Sequence, residues 1–210
     1  MEDEKSFERD ELIEGIVNRE WDFFSQVNNV GGPASCQNSP DTFSIMRHAW
    51  LSIWPKSALE SYAGDLDAAQ AQGRNPLTEK YAYMMADTHP DEYAHIKGQL
   101  PFISQEKAEA VEKVLAIEMV WAEEMAIRYP RFMAHGRPVH ISDATPGETS
   151  VETYSRGELK TLSTKTLEQL ATCFEDAASE GRNLQEVSDN AQVQAQGWKN
   201  LDAVEEALAR

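Results

Sequence analysis

Ile13–Val27 reads IEGIVNREWDFFSQV, and Val111–Met125 reads VEKVLAIEMVWAEEM. Both stretches repeat apolar residues at helical spacing: Ile13, Ile16, Val17, Phe23, Phe24 and Val27 in the first, Val111, Val114, Leu115, Trp121, Ala122 and Met125 in the second. A wheel of 3.6 residues per turn puts Glu20 and Glu118 at the centres of those apolar stripes. A carboxylate pointing into a packed interior is costly unless a cation or hydrogen-bond donors meet it, so each acid marks a candidate site. The two lie 98 residues apart.

Other segments repeat along with them. Leu59–Asn75 (LESYAGDLDAAQAQGRN) aligns without gaps on Leu167–Asn183 (LEQLATCFEDAASEGRN), with seven of seventeen residues identical at an offset of 108. Gly31-Gly32-Pro33 matches Gly136-Arg137-Pro138, and Asp41-Thr42-Phe43-Ser44 matches Glu152-Thr153-Tyr154-Ser155. Each half reads as a helix, a Gly/Pro loop, a helix, a helix closed by Gly-Arg-Asn, and a further helix. The expected fold is a single all-α domain over residues 1–210, built from two degenerate repeats, about 8–97 and 106–205, closing around a pseudo-twofold axis. The seam between such halves is a natural cleft.

The individual elements follow from caps and breakers. The first helix is expected over 8–27 and stops at Asn28-Asn29-Val30-Gly31-Gly32-Pro33. Asp41 or Thr42 caps the next, with Met46, Trp50 and Trp54 on its apolar side and Pro55 ending it. Gly136–Ser155 is rich in Gly, Pro, Ser and Thr and reads as a long functional loop, with a strand stub at Val139–Ile141. Helices are expected over 164–180 and 184–195, with a last one from about Leu201.

Composition narrows the function. Cys36 and Cys173 are far apart with no CxxC spacing, which suits a reducing compartment. The N-terminus carries no apolar run and no stretch of the chain is long and apolar enough to cross a membrane, so the expected location is the cytoplasm, with no membrane partner. A net charge of -17 argues against a nonspecific nucleic-acid binder. The charge is uneven: between Arg128 and Lys165 six basic residues (Arg128, Arg131, Arg137, Arg156, Lys160 and Lys165) stand against four acids (Asp143, Glu148, Glu152 and Glu158). That segment could therefore meet a phosphate-bearing partner. The five histidines show no ligand spacing, so neither a metal nor another cofactor is expected.

Under the repeat the two Gly/Pro loops approach the seam that holds Glu20 and Glu118. The first brings Ser35, Cys36 and Gln37, followed by Arg47 and His48; the second brings Arg137, His140, Ser150, Glu152, Tyr154, Arg156 and Glu158. Arg47 and Arg156 serve either as ligand clamps or as ion-pair partners of the buried acids. Acids converging in a dry pocket are matched best by a guanidinium or ammonium, and one with a raised pKa is also a base for an amine. Cation binding and base catalysis are both open on the residues alone, as is a noncatalytic binding module.

Four runs carry a resemblance: Asn29–Gln37 (NVGGPASCQ), Thr42–Arg47 (TFSIMR), Leu77–Met85 (LTEKYAYMM) and Thr149–Leu159 (TSVETYSRGEL). They resemble a family of small proteins of unassigned function that includes the fungal arginine-containing cyclodipeptide synthases. The resemblance spans nearly the whole chain. It implies an aminoacyl-tRNA-dependent enzyme, with arginyl-tRNA and a second aminoacyl-tRNA as partners. It places Asn29, Glu79, Lys80 and Tyr81 in family motifs, and so among the substrate-binding candidates. Under this reading Glu20 and Glu118, with Arg47, recognise the guanidinium or amine, and Glu152 or Glu158 is the base. Tyr154, Ser35 and Arg156 donate near the ester, and Cys36 is a candidate for transient acyl attachment. Arg128, Arg131, Arg137, Lys160 and Lys165 meet tRNA phosphates. Amide formation from an activated ester asks for little beyond positioning, a base and oxyanion donors.

Overall fold

The structure, a computed structural model, describes residues 2–27 and 35–209, with only the backbone of residues 2–6 and of Ser35 and Cys36. Among the described residues there are eleven α-helices and no strand. The first half contains α1 (Glu2–Ser25), α2 (Pro40–Leu51), α3 (Lys56–Ala71), α4 (Pro76–Thr88) and α5 (Pro90–Ile96). The second contains α6 (Gln105–Arg128), α7 (Pro130–Ala134), α8 (Val151–Leu159), α9 (Thr164–Ser179), α10 (Leu184–Ala195) and α11 (Leu201–Ala207). No described helix is long and apolar enough to cross a membrane.

The halves correspond closely in build. The helices α1 and α6 are both 24 residues long, and α3 and α9 both 16. Gly73 and Gly181 end α3 and α9 at φ 66° and 69°, a left-handed conformation that only glycine adopts without strain. The next residue then donates back across each turn, Arg74 N–H to Ala69 O and Arg182 N–H to Ala177 O, both at 2.9 Å. Asn75 and Asn183 cap α4 and α10. Their Nδ2 atoms reach back to the long helices, Asn75 to Phe23 O at 2.8 Å and Asn183 to Trp121 O at 3.0 Å. Phe23 and Trp121 stand at the same offset as Glu20 and Glu118.

Packing pairs match as well: α1 lies on α3 as α6 lies on α9, and α4 crosses to α8 as α10 crosses to α2. The helices α3 and α9 meet in the middle, where Leu59, Leu66, Leu167 and Phe174 are fully buried. A smaller cluster of Met125, Tyr129, Val193, Leu201 and Val204 sits under α7, α10 and α11. That the halves descend from one duplicated ancestor remains our reading of these correspondences.

Four expectations need correction. The stub at Val139–Ile141 is no strand; Ile141–Asp143 is a 3-10 turn. The loop ends at Ser150, five residues early, because the Ser150 hydroxyl accepts from Thr153 N–H and starts α8 there. Composition hid that cap among other small polar residues. Further back, α1 begins well before residue 8, and Trp54 lies just beyond α2 rather than on its apolar side.

Candidate functional site

Glu20 is 1% exposed, at the centre of the core-facing stripe of α1. Arg47 of α2 meets it with two parallel bonds, Nε to Oε2 at 2.7 Å and Nη2 to Oε1 at 2.6 Å, and Tyr62 of α3 donates its hydroxyl to Oε1 at 2.7 Å. The third guanidinium nitrogen of Arg47 reaches Glu158 Oε1 at 2.8 Å. The other oxygen of Glu158 accepts from the buried ammonium of Lys80 on α4, which also lies 3.5 Å from the centre of the Tyr154 ring. The order is Glu20, Arg47, Glu158, Lys80, alternating in sign across α1, α2, α8 and α4.

Burial alone would raise the Glu158 carboxyl, but Arg47 and Lys80 beside it hold it down at about 2. Burial likewise works to lower Lys80, and Glu158 outweighs it, so the ammonium stays charged and is no nucleophile. These groups, with Phe24, Phe43 and Tyr81, line a first chamber of about 140 Å³. Gly157 permits the crossing of α8 over α4: a Cβ there would lie 2.7 Å from Met84 Cγ and 3.1 Å from the Lys80 carbonyl oxygen.

Glu118, 6% exposed on α6, is placed differently. Ser155 donates to its carboxyl, but Oε2 is buried without a hydrogen-bond partner among the described residues. Burial first, and the charge of Glu158 second, push it up to about 8, so it is protonated at neutral pH. It lines a second chamber of about 250 Å³ with Trp50, Trp54, Trp121, Tyr154 and Asp189. Burial raises Asp189 to about 6. Trp54 Nε1 is a second buried group with no partner among the described residues. Buried polar atoms are nearly always satisfied, so two such atoms on the wall of one cavity single it out as the candidate binding site. The two chambers share Met46, Arg47, Arg137, Tyr154 and Glu158 as a common wall.

The contrast between the acids follows from the alignment. The register that sets Ser44 against Ser155 carries Arg47 onto Glu158, and the register of the Gly-Arg-Asn segments carries Tyr62 onto Leu170. Glu20 therefore has a guanidinium and a phenol, where the positions aligned with them hold a carboxylate and a leucine. One acid is neutralised by the protein, and the other has a carboxylate among its electrostatic neighbours.

Not every sequence candidate belongs to this pair of chambers. Glu20, Arg47, Lys80, Tyr81, Tyr154 and Glu158 line the first, and Glu118 the second. Glu79 turns away to Arg74, which it binds at 2.8 and 2.6 Å. Glu152 anchors the preceding loop: it accepts from Ile141 N–H at 3.1 Å and from Arg156 at 2.9 Å, and Arg156 also binds Glu112. Neither Glu152 nor Arg156 lines a chamber. Within the basic segment, Arg128 pairs with Glu186 and Arg131 with Glu205, which breaks up a continuous phosphate face. Lys160 sits 5.7 Å from the Tyr83 ring centre, and Lys165 is exposed. Asn29 and the side chains of Ser35 and Cys36 lie outside the described residues. Among the described residues no group of three or more His, Cys, Asp and Glu is arranged to hold a metal ion. Asp189 and the three-tryptophan wall went unassigned, since nothing in the local pattern of α10 sets Asp189 apart.

Fold and site together define an all-helical protein with two adjoining chambers, one closed by its own ion pairs and one with unmet polar groups. The chain belongs to the family described as protein of unknown function (DUF4125), whose model matches residues 10–206. No curated protein and no solved structure matches it.

Proposed function

We propose that the chain is an arginine-containing cyclodipeptide synthase that seats the guanidinium or amine of an aminoacyl substrate in the second chamber. The observation that carries this reading is the buried Glu118 carboxyl, whose Oε2 has no hydrogen-bond partner among the described residues, in a chamber lined by Trp50, Trp54 and Trp121. A planar cation fits both features: it stacks on aromatic faces and pairs with a carboxylate. Entry of the cation favours the ionised form of Glu118, and Asp189 adds a second acid. The residue resemblance supplies the reaction class, and the family description carries no activity of its own.

In that reaction the α-amine of one aminoacyl ester attacks the carbonyl of the other. A C–N bond forms, the ester C–O bond breaks, and the tRNA hydroxyl leaves with the proton. A second attack of the same kind closes the diketopiperazine and releases the second tRNA. Tyr154, which lines both chambers, is suited to donate to the ester oxygen, while Glu118, paired with the cation, positions the substrate. Glu158 serves better as an anchor than as a base, because two cations already hold it.

A second reading, a noncatalytic binder of a small cation, draws on the saturation of Glu20, Glu158 and Lys80 by one another. The deciding experiment incubates the protein with arginyl-tRNA and a pool of other charged tRNAs and analyses small products by mass spectrometry. An arginine diketopiperazine is expected, and its loss in a folded Glu118→Ala variant. Complete absence of product with charging verified rejects the synthase and leaves the binder.

A further inference from the structure

Glu118 and Arg137 line the second chamber at different depths. Glu118, at its buried end, is 6% exposed, whereas Arg137 lines the same cavity from an exposed position. The Arg137 guanidinium lies over the Tyr154 ring, 4.5 Å from its centre, a cation–π contact. Every other described arginine donates to a carboxylate or a backbone carbonyl: Arg9 to two carbonyls and Arg19, Arg47, Arg74, Arg128, Arg131, Arg156 and Arg182 to acids. Arg137 alone among them makes no hydrogen bond or ion pair. In a chain of net charge -17 an arginine without an acid is unexpected, and this one stands at the rim of the cavity with the orphaned polar atoms.

Its position is not a matter of a loose loop. Val151 N–H donates to Pro138 O at 2.8 Å, Glu152 N–H to Val139 O at 3.1 Å, and Ile141 N–H to Glu152 at 3.1 Å, tying the segment to the start of α8. A guanidinium held in place with five free donors is a preorganised receptor for a planar or tetrahedral oxyanion.

We propose that Arg137 binds an anionic oxygen group, carboxylate or phosphate, on the same ligand whose cationic end occupies the second chamber. This rests on the cation reading of that chamber given above. The ligand class is then a small molecule with a cation at one end and an anion at the other: a free basic amino acid, or an aminoacyl ester with a nucleotide phosphate close by. Arg137 determines specificity and is separate from the ion-paired cluster that holds the helices together.

The test is calorimetric titration of wild type, Arg137→Ala and Arg137→Lys with three probes: arginine, argininamide and inorganic phosphate. Argininamide keeps the guanidinium and amine and replaces the carboxylate by a neutral amide. If a carboxylate is the natural anion, wild type binds arginine about tenfold more tightly than argininamide, the size of one charge-assisted bond lost. If a phosphate is, argininamide binds about tenfold more tightly with phosphate present. Either effect vanishes in Arg137→Ala, returns only in part in Arg137→Lys, and leaves the affinity for argininamide alone unchanged. Equal binding of arginine and argininamide by wild type, with no response to phosphate, overturns the role of Arg137 and leaves the cation site standing. Failure of both organic probes to bind wild type overturns both.

Discussion

Replacing Glu118 by glutamine should make the protein more stable, increasingly so as the pH rises. The carboxyl titrates at about 8 in the folded chain and near its ordinary value of 4.5 once unfolded. A folded-state pKa raised in this way gives stability that is fully present below the unfolded value and lost as pH climbs through the folded one. Each pH unit in that window removes about 1.4 kcal/mol. The deficit of wild type against Glu118→Gln is therefore near zero around pH 4.5, about 3 kcal/mol at pH 7 and about 5 kcal/mol above pH 8. The amide preserves the shape of the protonated acid and can still accept from Ser155, so the variant removes the titration with little repacking. All other ionisable groups are common to both proteins and cancel in the difference. Unfolding is best followed by far-ultraviolet circular dichroism in urea at five pH values between 4.5 and 9. Guanidinium salts are unsuitable, because the denaturant is itself a candidate ligand for the chamber. Stability curves that run parallel across the whole range refute the reasoning, since they place Glu118 in contact with water or with a cation.

Two further substitutions probe the ion-paired cluster. Arg47→Met leaves Glu20 buried without its cation and should cost about 3–5 kcal/mol at pH 7, a loss that shrinks on acidification as the stranded carboxylates take up protons; a pH-independent cost in urea melts argues against it. Gly157→Ala forces the α8 backbone away from the Lys80 carbonyl, which cannot yield as a flexible side chain would, and should cost about 1–3 kcal/mol; an unchanged melting temperature means that α4 and α8 are less closely apposed than described.

Burial of both acids was legible in the sequence because each sits at the centre of a strict helical stripe. The Gly-Arg-Asn turns were equally plain, since only glycine is at ease where those helices end. What a local pattern cannot carry is the partner of a charge. Arg47 and Glu158 are 111 residues apart in sequence, and nothing in the pattern around Lys80 shows that α8 brings Glu158 onto its ammonium. Trp50 and Trp121 read as core residues by hydropathy, and only the packing of α2 against α10 opens a cavity beside them. Glu152 lies in a conspicuous polar segment, and its carboxylate, at the start of α8, accepts from Ile141 N–H and Arg156, partners that no local pattern announces.

The contact between Arg47 and Glu158 bears on why both halves share one polypeptide. In a symmetric dimer of identical half-length chains, a residue meeting its own counterpart across the axis always meets its own kind: arginine would press on arginine, or glutamate on glutamate. Covalent linkage lifts that restriction, so matching positions can take opposite signs and neutralise one another. Two halves of unlike sequence can thus keep one inward acid as a permanent brace while the acid at the aligned position goes without one.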